Sequence, residues 1–142
     1  MTRLLDVNVL VALAWPNHIH HARALKWFRA VREQGWATCP LTESGFVRVS
    51  SNAGAIPEAR TPREAITLLR RMRELPGHMF WPDDVSAARE GQSPFDHVVG
   101  HRQVTDAHLL SLALQRGGRL ATFDQAITSL ASGRDDVVEL IA

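Results

Sequence analysis

Four acidic side chains stand where acids are costly to keep. Asp6 directly follows the apolar pair Leu4-Leu5, and Asp124 directly follows residues 120–123, Leu-Ala-Thr-Phe. Asp106 precedes Leu109, Leu110, Ala113 and Leu114 by three, four, seven and eight positions. On a helix its carboxylate shares the stripe that turns inward. Glu43 precedes Phe46 and Val47 by three and four. An acid on an apolar face must be paired, neutralised or bound to a metal, because an isolated buried charge costs many kcal/mol. Carboxylates gathered in one place repel, which raises their pKa values; a divalent cation reverses the sign of that interaction. Hard oxygen ligands suit Mg²⁺ or Mn²⁺, whereas Zn²⁺ would want a Cys/His set, and Cys39 is the single cysteine. Mg²⁺ keeps several of its waters, leaving room for a phosphate oxygen and an attacking water. The expectation is an acidic metal pocket that acts on phosphodiesters.

Each acid also has an ordinary explanation. Asp106 suits a helix N-terminus, Asp124 and Asp6 suit N-caps, and Glu43 can pair with Arg48. The four together are harder to explain that way, since all end strands or open helices at one end of a sheet.

The elements that must position them follow from periodicity and punctuation. Strands are expected at residues 2–5, 36–39, 78–81, 119–122 and 137–141. Helices are expected at residues 7–14, 18–34, 42–51, 61–74, 84–90, 104–116 and 124–130, with a loop over 91–100. Pro40 is expected to end the second strand, and Thr105 to cap its helix. Thr61-Pro62-Arg63-Glu64 is a helix start: a capping threonine, proline at the first position and an acid at the third. Strands alternating with helices imply a parallel sheet covered on both faces, with ligands beyond the carboxyl ends of the strands where strand order reverses.

The chain of 142 residues suits one domain over 1–142, large enough to bury a core without disulfides. One cysteine forms no internal disulfide and fits a reducing cytoplasm. A net charge of +1 gives no global basic field. Arg3 and residues 9–15 imitate a signal peptide crudely, but Asp6 and Asn8 interrupt the apolar run, so none is expected. No stretch approaches the roughly 20 apolar residues of a membrane span.

In order and spacing, residues 4–10 (LLDVNVL), Thr42-Glu43, Val104-Thr105-Asp106-Ala107 and Ala121-Thr122-Phe123-Asp124 resemble the four acidic motifs of PIN domains. Phe46-Val47-Arg48-Val49-Ser50 and Phe80-Trp81-Pro82-Asp83-Asp84 further resemble the VapC-type toxins of VapBC toxin–antitoxin pairs. The resemblance spans nearly the whole chain. It implies a three-layer α/β/α fold with a five-stranded parallel sheet. It also implies Mg²⁺- or Mn²⁺-dependent endoribonuclease action on structured RNA such as tRNA or rRNA, a cognate VapB-type antitoxin, and a homodimer. On this reading Asp6, Asp106 and Asp124 are metal ligands, and Glu43 binds directly or through a water. Asn8 and Thr122 hydrogen-bond those ligands.

Other residues are read as structural. His18, His20 and His21 open a helix far in sequence from the acids, on a surface face. His108 points away from the Asp106 stripe, and Trp15, Trp27, Trp36 and Trp81 suit the core better than base stacking. Arg48 and Arg102 are candidate phosphate contacts. A phosphoacceptor receiver domain fits the length but needs a lysine after a late strand, and Lys26 is in the wrong place. A non-catalytic interaction module and a housekeeping ribonuclease without antitoxin are the remaining alternatives.

Overall fold

The computed structural model of the chain describes residues 1–131 and 133–142, and every side chain within them but that of Asp135. Five parallel strands form one sheet: β1 Arg3–Leu5, β2 Trp36–Thr38, β3 His78–Phe80, β4 Arg119–Thr122 and β5 Val138–Leu140, in the order β3-β2-β1-β4-β5. The chain therefore winds outward from β1 to β2 and β3, then crosses to β4 and β5 on the other side. Strand order reverses between β1 and β4, where Leu4 pairs with Leu120 and Leu5 with Ala121.

Five α-helices connect the strands: α1 Val7–Ala14, α2 His21–Val31, α3 Pro40–Ser50, α4 Pro62–Arg73 and α5 Val104–Gln115. Successive strand residues face opposite sides, as the pleat requires. Leu4, Ala37 and Leu120 pack with Leu109, Leu110 and Leu112 of α5, while Leu5, Trp36 and Ala121 pack with Leu10, Phe28, Phe46 and Leu69 of the other four helices. Two apolar layers on one sheet give the expected three-layer architecture. Trp15, Trp36 and Trp81 are buried, as their sequence surroundings suggest, and Trp27 is half-buried. Among the described residues no helix is long and apolar enough to cross a membrane.

Several boundaries differ from the sequence reading. α2 begins at His21 rather than near 18, because His18–His20 form a turn closed by the His21 N–H to the His18 carbonyl at 3.0 Å. α3 begins at Pro40, two residues before Thr42: proline takes the first helical position, and the Thr42 hydroxyl turns back to accept the Cys39 N–H at 3.0 Å. Thr105 is not the cap of α5, since a 3-10 turn at His101–Gln103 runs straight into that helix and places Gln103 at its cap.

Residues 84–90 are not helical. The Ser86 hydroxyl accepts the Ala88 N–H locally, and Asp84 is tied to Gln115 at the end of α5 and to Arg116 just past it, so the segment spends its polar groups on turns and tethers. The expected loop over 91–100 contains a 3-10 turn at Pro94–His97, and the short helix after Asp124 is a 3-10 helix, Gln125–Leu130. Thr61 and Glu64 do form the reciprocal cap read from the sequence.

At the amino ends of β1 and β4 lies an ion-paired cluster that the sequence does not advertise. Glu139 accepts from Arg3 Nε at 2.9 Å, from Arg119 Nη1 at 3.4 Å and from the Trp27 indole. Burial would raise its pKa, but the Trp27, Arg3 and Arg119 contacts outweigh it and hold the carboxyl below its usual value. The Arg3 and Glu139 side chains are 11% and 19% exposed, between the surface and buried limits. Replacing Glu139 by Ala leaves two arginines unpaired. We expect a loss of about 2 kcal/mol, between the roughly 0–1 of an exposed pair and the 3–5 of a buried one, read as a lower urea midpoint. The acids at the opposite end of the sheet are untouched by this change.

Candidate active site

The chain leaves β1 at Leu5 and turns into α1 at once, with Asp6 as its N-cap accepting the Val7 N–H at 2.8 Å. It leaves β4 at Thr122, and two residues later Asp124 caps the following 3-10 helix by accepting the Ala126 N–H at 2.9 Å. Both aspartates therefore lie at the carboxyl ends of the two strands between which strand order reverses. Thr122 joins them. Its hydroxyl donates to Asp6 Oδ2 at 2.9 Å and accepts the Asp124 N–H at 3.0 Å. The Thr122 side chain thus bonds both Asp6 and the backbone of Asp124.

Asp106 reaches the same place from the first turn of α5, whose buried Ala107, Leu109 and Leu110 pin it to the sheet. The proximity of the three aspartates shows in their electrostatics. Burial, then the charges of Asp6 and Asp124, push the Asp106 carboxyl up to about 6. Burial raises Asp6 as well, against the lowering by the Thr122 and Val7 hydrogen bonds, and Asp124 adds repulsion. Asp106 makes no side-chain hydrogen bond or ion pair among the described residues, so nothing there offsets the repulsion.

Glu43 lies at the same end but is held differently. Gly45 lets α3 press against α1: a Cβ there would stand 2.6 Å from Val7 Cγ2, so the middle of α3 meets the start of α1. The Glu43 carboxylate accepts from the Thr38 hydroxyl at 2.6 Å and pairs with Arg73 of α4 at 3.5 Å, not with Arg48. His78 Nε2 lies 2.7 Å from the same Thr38 oxygen. With hydrogen on that nitrogen, His78 donates to Thr38, which donates to Glu43. Burial, then Arg73, lower the His78 pKa to about 4, so the ring is neutral near pH 7. The sequence reading missed Thr38, Arg73 and His78. Arg73 lies thirty positions after Glu43, and only the pairing of β2 with β3 brings their surroundings together.

Asn8 is exposed on the first turn of α1 with its amide uncommitted among the described residues. Arg48 and Arg102 are exposed, with no ion pair among the described residues. His108 faces away from the acids and bonds Asp83 at 2.6 Å. The histidines of 18–21 lie closer to the acids than their sequence distance suggests: the His20 ring packs on Phe123, between Thr122 and Asp124, with centroids 4.7 Å apart.

Among the described residues, no group of three or more His, Cys, Asp or Glu side chains converges closely enough to hold a metal ion as the side chains lie. Their hydrogen bonds account for this. Asp6 and Asp124 turn to backbone and hydroxyl donors, and Glu43 to Thr38 and Arg73, which is how like charges settle when left to local partners. The donor set nonetheless fits a hard divalent cation: oxygen ligands only, one of them unpartnered and destabilised by its neighbours.

Comparison with known proteins places these features. Residues 3–132 match the family model described as PIN domain. The chain is 53% identical over 132 residues to Ribonuclease VapC39 of Mycobacterium tuberculosis, covering 93% of this chain and 95% of that protein. It is 54% identical over 139 residues to Ribonuclease VapC38 of the same species, covering 97% and 96%. Among solved structures, the fold is similar to the VapBC2 of Rickettsia felis bound to a promoter DNA fragment, with TM-score 0.66, 9% identity and all of both chains covered. It is also similar to M. tuberculosis VapC20, described as a sarcin–ricin loop cleaving toxin, with TM-score 0.62, 13% identity and 92% and 95% covered.

Proposed function

The chain belongs to the PIN-domain family, and from that premise we propose that it is a Mg²⁺- or Mn²⁺-dependent endoribonuclease serving as the toxin of a VapBC-type pair, one PIN domain over residues 1–142. The observation that carries the metal dependence is Asp106, half-buried, without a partner among the described residues and facing the charges of Asp6 and Asp124. A protein gains nothing in stability from such an arrangement, and a bound cation relieves it. The high identity to proteins named ribonuclease supports the activity, and their VapC names support a VapB-type antitoxin as partner. The RNA is structured RNA, tRNA or rRNA, and the working form is a homodimer.

Asp6, Asp106 and Asp124 would hold the ion, with Glu43 contributing directly or through a water. Bound there, the ion lowers the pKa of a water and offsets charge on the phosphate, the chemistry of hydrolysis to a 5′-phosphate and a 3′-hydroxyl. The chain's own contribution is positioning. Thr122 fixes the Asp6 carboxylate and the Asp124 backbone through one hydroxyl. Thr38 and Arg73 hold Glu43 at the rim with one oxygen, Oε2, engaged. Asn8, exposed and uncommitted, is free to bond a ligand or a ligating carboxylate.

The experiment is to map RNA 5′ ends after induced expression of the chain and of Asp6→Asn. We expect new ends carrying 5′-phosphate with the natural chain and none above background with the variant. Equal sets of ends from both, with both folded, would overturn the assignment.

A further inference from the structure

Phe123 occupies the one position between Thr122 and Asp124, just past the carboxyl end of β4. Two cationic or aromatic side chains rest on its ring. The His20 ring is 4.7 Å from it, centroid to centroid, and the Arg23 guanidinium carbon is 4.9 Å from its centroid. Arg23 Nη2 donates to His20 Nδ1 at 2.8 Å, which locks the two together, and His18 continues the row 5.6 Å beyond His20.

The state of Arg23 sets it apart. Arg3 and Arg119 share Glu139 and Arg116 has Asp84, while Arg32 is half-buried without a carboxylate among the described residues but has no buried nitrogen left without a partner. Arg23 pairs with no carboxylate among the described residues, its Nε is buried without a hydrogen bond, and its Nη2 is engaged by the His20 ring nitrogen. A half-buried cation stacked on a ring and short of acceptors is arranged for an anion from outside. The row of rings beside it narrows the choice of anion. His18 and His20 are ring side chains of the kind on which bases stack, and a nucleotide brings a base and a phosphate together.

We propose that Arg23, seated on Phe123 and steered by His20, grips a backbone phosphate of the RNA strand beside the carboxylates. This rests on the ribonuclease reading above and names the part of that site which holds the strand. Arg23 is the contact; His20 and Phe123 are positioning residues that fix its plane.

The test is filter binding of unfractionated deacylated tRNA in Mg²⁺ buffer over a series of NaCl concentrations, on an Asp106→Asn background so that the RNA survives. The salt slope counts phosphate contacts whatever the sequence of the RNA. Arg23→Gln is expected to weaken binding about tenfold and to flatten the log–log slope by about 0.7–0.9. Arg23→Lys is expected to keep the slope and lose part of the affinity, since an ammonium lacks the fork and the stack. Phe123→Leu weakens binding in the same direction. Arg29→Gln, an exposed arginine on the same helix, is expected to leave affinity and slope alone. The proposal is overturned if Arg23→Gln keeps the parent slope, if Arg29→Gln flattens it equally, or if Arg23→Gln weakens only the binding of an antitoxin protein. Cleavage of the same tRNA by the chain with Asp106 intact separates the two ideas. Cleavage with an unchanged slope in Arg23→Gln removes only this contact, whereas no cleavage overturns it together with the nuclease reading.

Discussion

Asp106→Asn is expected to abolish cleavage and, in EDTA, to make the protein more stable. The two effects have one origin. The Asp106 carboxylate is pushed up to about 6 by burial and by the Asp6 and Asp124 charges, and it has no compensating donor among the described residues. An amide of the same shape removes the repulsion and the desolvated charge together. Solvent reaches this half-buried group and screens it, so the relief is about 1 kcal/mol, a rise in Tm of about 2–4 °C for a chain of this size. A lost metal ligand costs more than the roughly 10–100-fold typical of residues that only support ligands, so the rate should fall by more than about a hundredfold. Asp6→Asn supplies the contrast. It should lose as much activity without the gain in stability, because both Asp6 oxygens already accept hydrogen bonds, from Val7 and Thr122, and an amide accepts at only one of them. Cleavage rates and EDTA melting curves of the two variants decide the matter. A less stable Asp106→Asn would show that the aspartate is structural.

How far the sequence carried this picture depends on how local each cause is. Asp6 and Asp124 were legible because each follows an apolar strand directly, and the parallel-sheet rule then places both at one end. Asp106 was legible because a helix converts spacing into facing. Thr122 was legible as a neighbour of Asp124, although its double use, donor to Asp6 and acceptor from the Asp124 backbone, appears only once β1 and β4 pair in register. The family resemblance tied these into one site.

What escaped was non-local. The Glu43 partner was sought at Arg48, one helical turn away, and is Arg73 at the end of another helix. The histidines of 18–21 were dismissed because they are a hundred positions from Asp124, yet β1 and β4 are neighbours, so the turn after α1 comes back over Phe123. The failed helix at 84–90 has the opposite cause: a helical composition overridden by tethers from Asp83 and Asp84 to α5. Side chains that reach across elements leave no period in the sequence.

The largest effect of solution conditions should come from divalent metal, and it should depend on pH. Below about pH 4 the Asp106 carboxyl is protonated in both folded and unfolded chains and contributes no difference. Between its ordinary value of 3.8 and about 6 the folded chain holds a proton there that the unfolded chain has released. The folded state then binds more protons, so this group's contribution to stability falls as pH rises, and above about 6 the loss is complete. His78 opposes it. Its folded pKa lies near 4, below its ordinary value of 6.5, so its contribution rises with pH over nearly the same window. The metal-free pH profile is therefore flattened by two opposed groups and says little on its own. The difference between melting temperatures in Mg²⁺ or Mn²⁺ and in EDTA removes the His78 contribution and leaves the acids. Metal binding requires the deprotonated carboxylates, so that difference should be small near pH 5, grow through pH 6 and level off above about pH 7. At saturating metal, about a hundred times Kd, the stabilisation is about 2.7 kcal/mol, or roughly 5–10 °C. Asp106→Asn should reduce the difference at every pH. A metal-induced shift that is equally large at pH 5 and pH 7.5 would place the ion on groups other than these carboxylates.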